Sequence, residues 1–428
     1  MPPEPIDAAV WRDLRLANRN ACLWAIGNGL ISTTLVTYLA LEFGAKGLAI
    51  SLILAAPRFA GVLRVLAPAM VARARARRAV CVVAFASSTA ALAAMLVLAT
   101  PGRLPTADAG VAALTIGWCF YHVLEYAGTV LLWSWLGDLM PAEQRGVLIG
   151  RRERWLVVGR VIGIGVSFLL AIGWARINPD QPRWTPLIYS AAVGTALMAV
   201  AAIPLARMRP TAATPSALPR ATWATIRRCL ADRSYSRLLT YSCAFALANG
   251  LTGVAQSLYP YRVLGVRYEH MLMLRAVMRS GQAAVAPRVG SWIDRFGAKR
   301  LMFVAQLIVA TGPLFFLFAS ESAPWWIIAA FVAWIAYAGL NVGLDHQKLA
   351  VAPPDNNAPA IAAYHAISDL ANGVMIVLGG YVFDRLTAGG EPALALYAKL
   401  FLCGWVARTL VAGLILRLSD PLKDRRAG

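Results

Sequence analysis

Charged side chains within apolar stretches of the sequence are the first candidates for chemistry. Arg58 and Arg279 lie near the middle of two such stretches, and Glu125 lies in a third, with His122 three residues before it. Arginine offers a planar fork of N–H donors that fits carboxylate, phosphate or nitrate oxygens. Burial favours the protonated form of a carboxyl group. The residue types therefore favour an anion bound by the two arginines, with Glu125 and His122 as the proton-coupling groups.

The same side chains also fit a purely structural role. A charge at the bilayer centre costs about 2.5–3.5 kcal/mol, so each one needs a partner or a polar cavity. Glu125 can neutralise Arg58, and Arg275 offers a second cation one helical turn before Arg279. Asp369 lies deep in another apolar stretch and is a further candidate for proton coupling. Ligand binding and ion pairing are both open on this evidence.

Amides and a phenol supply further candidate contacts to a substrate. Asn28 and Asn249 are each followed by glycine, and Asn341 stands 216 residues after Glu125. Tyr121 lies about one helical turn before Glu125. We expect these side chains to face a polar cavity. The alternative is that Asn28 and Asn249 hydrogen-bond across closely packed helices.

The elements that must position these residues are membrane helices. Hydrophobic residues make up 59% of the 428 and charged residues only 14%, whereas about 25% are charged in an average soluble domain. Apolar stretches of roughly 20 residues, enough to cross the ~30 Å bilayer core, recur along the chain. A soluble enzyme and a secreted disulfide scaffold are thus excluded. The predicted spans are 20–42, 48–72, 79–100, 109–137, 147–174, 185–206, 238–261, 268–292, 300–320, 324–348, 360–384 and 394–416.

The charges between the spans alternate from one side of the membrane to the other. The side with both termini and segment 207–237 carries most of the 41 Lys and Arg. The positive-inside rule therefore predicts cytoplasmic termini and a protein of the cell (inner or plasma) membrane in contact with anionic lipid. Nucleic-acid binding is not expected, because no segment outside the membrane is large enough to present a basic face.

The sequence is repeated at a spacing that drifts from 221 to 214 residues. The matching residues are Asn28 and Asn249, Tyr38 and Tyr259, Arg58 and Arg279, Trp118 and Trp334, Tyr121 and Tyr337, and Gly159 and Gly373. The repeat predicts two six-helix halves, 1–206 and 238–428, joined by a cytoplasmic linker at 207–237. Parallel halves of this kind occur in one large class of transporters. Gly159, Gly163, Gly165, Gly373, Gly379 and Gly380 are predicted to be helix-packing positions.

Two loop motifs resemble a known family. After span 8 the chain reads Gly290-Ser-Trp-Ile-Asp294-Arg295-Phe-Gly297-Ala-Lys299-Arg300. This resembles the G-x-x-x-D-R-x-G-x-K/R-R loop of the major facilitator superfamily. The segment from Asp138 to Arg145 is similar to that superfamily's turn between helices 4 and 5. Residues 73–78 keep the cations of its loop between helices 2 and 3 but lack the Gly and Asp, so no subfamily is identified.

The resemblance implies an all-helical fold of twelve transmembrane helices in two pseudo-symmetric halves, working by alternating access. It also implies a cytoplasmic gate in which charge pairs form across the seam between the halves. The alternative is that these cations only anchor the loop. In nitrate/nitrite porters of the superfamily, arginines of helices 2 and 8 bind the anion, the positions of Arg58 and Arg279. The gate residues would be Gly290, Asp294, Arg295, Lys299, Arg300, Asp138 and Arg145.

Other classes of function lack their motifs. The sequence has no G-x-x-x-x-G-K-[ST] phosphate loop, no H-E-x-x-H or G-x-S-x-G, and no C-x-x-C pair. Neither an enzyme nor a cofactor or metal site is expected. We predict a secondary transporter of a small solute, anionic and proton-coupled in one interpretation and neutral in the other. A lipid translocator or a transport-dead sensor is the remaining alternative, and one chain with both halves could act as a monomer.

Overall fold

The computed structural model describes residues 7–67, 69–70, 76–141, 145–210, 219–353, 358–390 and 392–419, with the backbone alone at 145, 146, 219–222, 294 and 358. Helices make up nearly all of this part, and it contains no strand. They are α1 (Ala8–Leu30), α2 (Thr33–Glu42), α3 (Gly47–Gly61), α4 (Arg77–Ala99), α5 (Ala107–Leu139), α6 (Arg145–Ile177), α7 (Thr185–Ala206), α8 (Pro219–Ala231), α9 (Arg233–Arg262), α10 (Tyr268–Phe296), α11 (Ala298–Ala310), α12 (Gly312–Phe318), α13 (Trp326–Ala333), α14 (Tyr337–Val351), α15 (Ala358–Ala388) and α16 (Ala393–Ile415).

Several of these helices combine into single spans. α1 and α2 form one span that is interrupted at Ile31, where Ser32 caps α2 by accepting the N–H of Leu35 at 3.3 Å. α3 continues as a 3₁₀ turn over Val62–Leu66, and another 3₁₀ turn over Trp334–Ala336 joins α13 to α14. α11 and α12 likewise follow each other without a loop.

The membrane spans agree with the sequence. Eleven helical segments in the described ranges are long and apolar enough to cross a bilayer. α10, with 29 residues, is long enough to be the twelfth but carries Glu269, Arg275, Arg279 and Arg288. The all-helical, polytopic fold class is therefore confirmed, and α10 completes the expected twelve-helix layout.

The central segment contains a helix that the sequence analysis did not predict. Residues 207–237 were expected to form a linker, yet α8 occupies Pro219–Ala231 within them. Cys229 of α8 packs with Tyr235 and Leu238 of α9 in one apolar cluster. Burial raises the pKa of the Cys229 thiol, which keeps the thiol protonated at neutral pH. The cluster explains why the linker is ordered at this point.

The helices group into two compact units. The first is formed by residues 1–45 and 66–219, and the second by residues 46–65 and 220–428. α3 therefore belongs to the second unit, where it packs on α15 and α9. The division of the chain into halves at 207–237 stays a prediction.

Glycines allow α1 to approach α6 within the first unit. A Cβ atom added at Gly159 would lie 2.5 Å from the Cys22 carbonyl oxygen, and one at Gly163 would overlap the Ile26 carbonyl oxygen. A Cβ atom at Gly165 would have no neighbour within 4 Å. Gly159 and Gly163 therefore mark the contact face of α6, and Gly165 does not.

The Gly163→Ala variant is expected to lower the free energy of unfolding by about 1–3 kcal/mol, because the added methyl group overpacks a backbone contact. Gly165→Ala is the matched control and is expected to be neutral or slightly stabilising, since alanine has about 1 kcal/mol better helix propensity than glycine. SDS titration of the two purified proteins measures both effects. Equal stabilities would show that α1 and α6 do not touch at Gly163.

Candidate functional site

A polar cavity of about 350 Å³ lies within the second unit, between α3, α9, α14 and α15. Helical spacing explains why these helices present polar groups to one place. On α14 the lining residues recur every three or four positions, which keeps them on one helix face. The polar lining residues are Arg58, Ser242, Asn249, Tyr337, Asn341, Asp345, Lys348, Tyr364, His365, Ser368, Asp369 and Asn372.

The centre of the cavity wall is a carboxylate shared by two arginines. Arg58 Nη1 lies 2.9 Å from Asp369 Oδ1, and Arg64 Nη1 lies 3.2 Å from Asp369 Oδ2. The Asp369 side chain is only 13% exposed, whereas that of Arg58 is 50% exposed. The absence of a side chain at Gly61 provides space for this carboxylate, because a Cβ atom there would lie 3.0 Å from Asp369 Oδ2. Arg58 lines the cavity and presents the exposed part of its guanidinium to it.

A second charged cluster lies nearer one end of the cavity. Lys348 Nζ lies 2.6 Å from Asp345 Oδ1 and 3.1 Å from His365 Nε2, and 5.4 Å from the centre of the Tyr364 ring. The Lys348 side chain is 10% exposed and that of Asp345 is 67% exposed. His365 lies one helical turn before Asp369 on α15. Titratable groups thus follow one another along the wall towards the shared carboxylate.

Amide groups form the rest of the polar lining. The Tyr337 hydroxyl donates to Asn249 Oδ1 at 3.1 Å. Asn341 and Asn372 make no side-chain hydrogen bond to the described part of the chain, so their donors and acceptors are available to a ligand. The first unit contains the repeat-related pair, in which Asn28 Nδ2 donates to the Tyr121 hydroxyl at 3.1 Å. Each unit therefore contains an Asn–Tyr hydrogen bond at corresponding positions of the sequence repeat.

The carboxylate predicted for proton coupling lies in the first unit. Thr129 donates to Glu125 Oε1 at 3.2 Å, and Arg160 is close enough to interact with Glu125 electrostatically. The His122 ring packs edge-on against Trp118 at 4.5 Å between centroids. Its Nε2 atom is buried and has no hydrogen-bond partner among the described residues.

The structure brings Arg58, but not Arg279, to the cavity. Arg279 is exposed, and its Nη1 donates to Gln282 Oε1 at 3.2 Å. The carboxylate that pairs with Arg58 is Asp369. The roles of Arg64, Lys348 and Asn372 in this region were not predicted from the sequence. The sequence feature that could have indicated two of them is helical spacing. Lys348 follows Asp345 by three residues, and Asn372 follows Asp369 by three residues.

The predicted cytoplasmic gate is only partly described. The turn lies at Gly297, which has a φ of 88° and closes α10, whereas Gly290 lies inside that helix. Lys299 Nζ donates to the Leu418 carbonyl at 3.3 Å, and Arg295 lies over the Phe296 ring. In the first unit Asp138 pairs with Arg77. Arg300 is exposed, and the side chains of Asp294 and Arg145 lie outside the described residues.

Comparison with known proteins supports the fold. Residues 271–426 match the family model of the Major Facilitator Superfamily. A search among curated proteins finds no sequence match. Solved structures match nearly the full length, at identities of 14% or below for the three described next.

A D-xylose-proton symporter shares 14% identity with a TM-score of 0.68, covering 97% of this chain and 99% of that one. An auto-inhibited POT family peptide transporter shares 12% identity with a TM-score of 0.69, covering 96% and 98%. The nucleoside transporter NupG shares 13% identity with a TM-score of 0.65, covering 96% and 99%. Residues 271–426 thus match the Major Facilitator Superfamily model, and the chain as a whole shares the multi-pass helical fold of these solved transporters.

Proposed function

We propose that the chain is a secondary transporter that carries a small polar solute by alternating access, with the cavity of the second unit as its binding site. The observation that carries the proposal is the half-exposed Arg58 beside a shielded Asp369, deep between membrane helices. Placing a charged group at that depth costs free energy, and residues of this kind usually have a functional role. The fold shared with xylose, peptide and nucleoside transporters supports the same conclusion.

The charge of the cavity favours a solute with an anionic group. Only Nη1 of Arg58 pairs with Asp369, and the Arg58 side chain is 50% exposed, so its guanidinium has N–H groups left for a ligand. A guanidinium can hold carboxylate or phosphate oxygens through two N–H groups. Asn341 and Asn372 are available to hydrogen-bond the rest of the solute. A neutral organic solute is the second candidate, favoured by these same amides.

Asp369 also offers a means of proton coupling. A proton on Asp369 removes its charge and releases Arg58 and Arg64, which strengthens the binding of an anion. The proton and the anion then promote each other's binding, as linkage requires. Glu125 and His122 of the first unit are the alternative coupling groups, because they lie on the helix that carries Tyr121.

A thermal-shift screen of the purified protein tests the binding site. Small carboxylates and phosphates are expected to raise the melting temperature by a few degrees, because a ligand that binds the native state stabilises it by mass action. Arg58→Ala should abolish the shift. Arg279→Ala is the matched control and should keep it, since Arg279 lies outside the cavity lining. A shift given only by neutral sugars or amino acids and kept by Arg58→Ala would contradict an anionic substrate.

Transport by reconstituted protein tests the coupling group. In Asp369→Asn, an imposed proton gradient should no longer accumulate the solute, because an amide cannot take up the proton. Exchange of solute down its own gradient should persist within about tenfold of the wild type, since Arg58 remains. Glu125→Gln is the comparison and should still accumulate solute. The reverse pattern, with accumulation lost only in Glu125→Gln, would assign the coupling to Glu125.

A further inference from the structure

The first turn of α3 is capped by a side chain from another helix. Lys46, at the N-cap position, makes no capping hydrogen bond with its side chain. Instead the carboxylate of Asp384, near the end of α15, accepts the N–H of Gly47 on Oδ1 and the N–H of Leu48 on Oδ2, both at 2.7 Å. The first N–H groups of a helix have no partner within it, and a negative charge at this end is stabilising. Asp384 thus satisfies two backbone donors with one carboxylate.

Two glycines allow α3 and α15 to touch backbone to backbone at this place. A Cβ atom at Gly47 would lie 2.8 Å from Asp384 Oδ1. A Cβ atom at Gly380 would lie 2.6 Å from the Gly47 carbonyl oxygen and 2.5 Å from Ser51 Cβ. The carboxylate therefore reaches the helix end only because both positions lack a side chain.

The sequence around Asp384 repeats the loop motif found after span 8. Gly380-x-x-x-Asp384-Arg385 has the same pattern as Gly290-x-x-x-Asp294-Arg295, and both patterns lie at the end of a long helix. Arg385 does not occupy the carboxylate, because its Nε donates to the Tyr381 hydroxyl of the preceding turn at 3.0 Å. Asp384 is left to bind α3.

We propose that Asp384 is a latch that holds the start of α3 against the end of α15, and that it must release when the cavity opens towards this end of the helices. The inference rests on the proposed function, since it assumes alternating access. By the sequence repeat, α3 belongs to the first half and α15 to the second, and the halves move against each other during transport. Asp369 and Asp384 then hold α3 at two levels, about 22 Å apart along α15.

Hydrogen exchange followed by mass spectrometry tests the latch without a substrate. In Asp384→Asn, exchange is expected to accelerate about tenfold or more over both residues 47–53 and residues 378–386, because charge-assisted hydrogen bonds are about twice as strong as neutral ones. Asp180→Asn is the matched control, since it removes one exposed carboxylate on the same predicted side and should change neither segment. Should Asp384→Asn fail to fold, Gly380→Ala disturbs the same contact sterically and should accelerate the same segments.

Two results would overturn the latch. Faster exchange confined to Gly47 and Leu48 would make Asp384 a helix cap only, and rates equal to those of Asp180→Asn would remove even the cap. Loss of the proposed function has a different signature, because it is measured by solute binding and transport in the wild-type protein. The two failures can therefore be told apart.

Discussion

The contact between the end of α3 and the middle of α15 depends on one carboxylate. Two arginines, Arg58 of α3 and Arg64 of the 3₁₀ turn that follows it, share Asp369 of α15. Removing one member of such a group leaves an uncompensated charge among membrane helices, which is far more costly than never placing the group there. The pairing therefore fixes where α3 lies on α15, and with it one wall of the cavity.

That same arrangement gives the cavity its chemical character. Because one carboxylate serves two guanidinium groups, Arg58 retains donors that face the open space. Lys348 offers less positive charge to a solute, since Asp345 pairs with it at 2.6 Å. The unpaired amides of Asn341 and Asn372 supply both donors and acceptors beside it. A solute that brings its own anionic group and several hydrogen-bonding atoms matches all of these groups at once.

The sequence predicted which residues occupy corresponding positions of the repeat better than it predicted which side chains are in contact. The twelve spans followed from hydropathy, and the equivalence of the Asn and Tyr residues followed from the repeat. The Asn–Tyr hydrogen bonds themselves were not predicted. Arg58 and Arg279 are also equivalent, but they have different partners, since α3 packs on α15 whereas α10 packs on α13 and α14. Such pairing depends on which helices pack together, and a single sequence does not record it.

The helix in the central segment was missed for a different reason. The Thr, Pro and Ala content of 207–237 is typical of a linker when it is averaged over the whole segment. From Pro219 onward, however, proline at the first helical position is followed by apolar residues at three- to four-residue spacing, including Ile226 and Cys229. Proline at this position favours a helix start. Local periodicity outweighs average composition here.

The two carboxylates that α15 presents to α3 are suited to different tasks. Asp384 accepts hydrogen bonds from two backbone N–H groups. A solute could replace it there only by inserting between α3 and α15. Asp369 pairs with two side-chain cations. Arg58 faces the cavity, where the anionic group of a solute can replace Asp369 as its partner. A proton on Asp369 therefore releases groups that the substrate can use, whereas a proton on Asp384 would only break hydrogen bonds. We therefore propose proton coupling for Asp369 at the cavity and mechanical closure for Asp384 at the helix end.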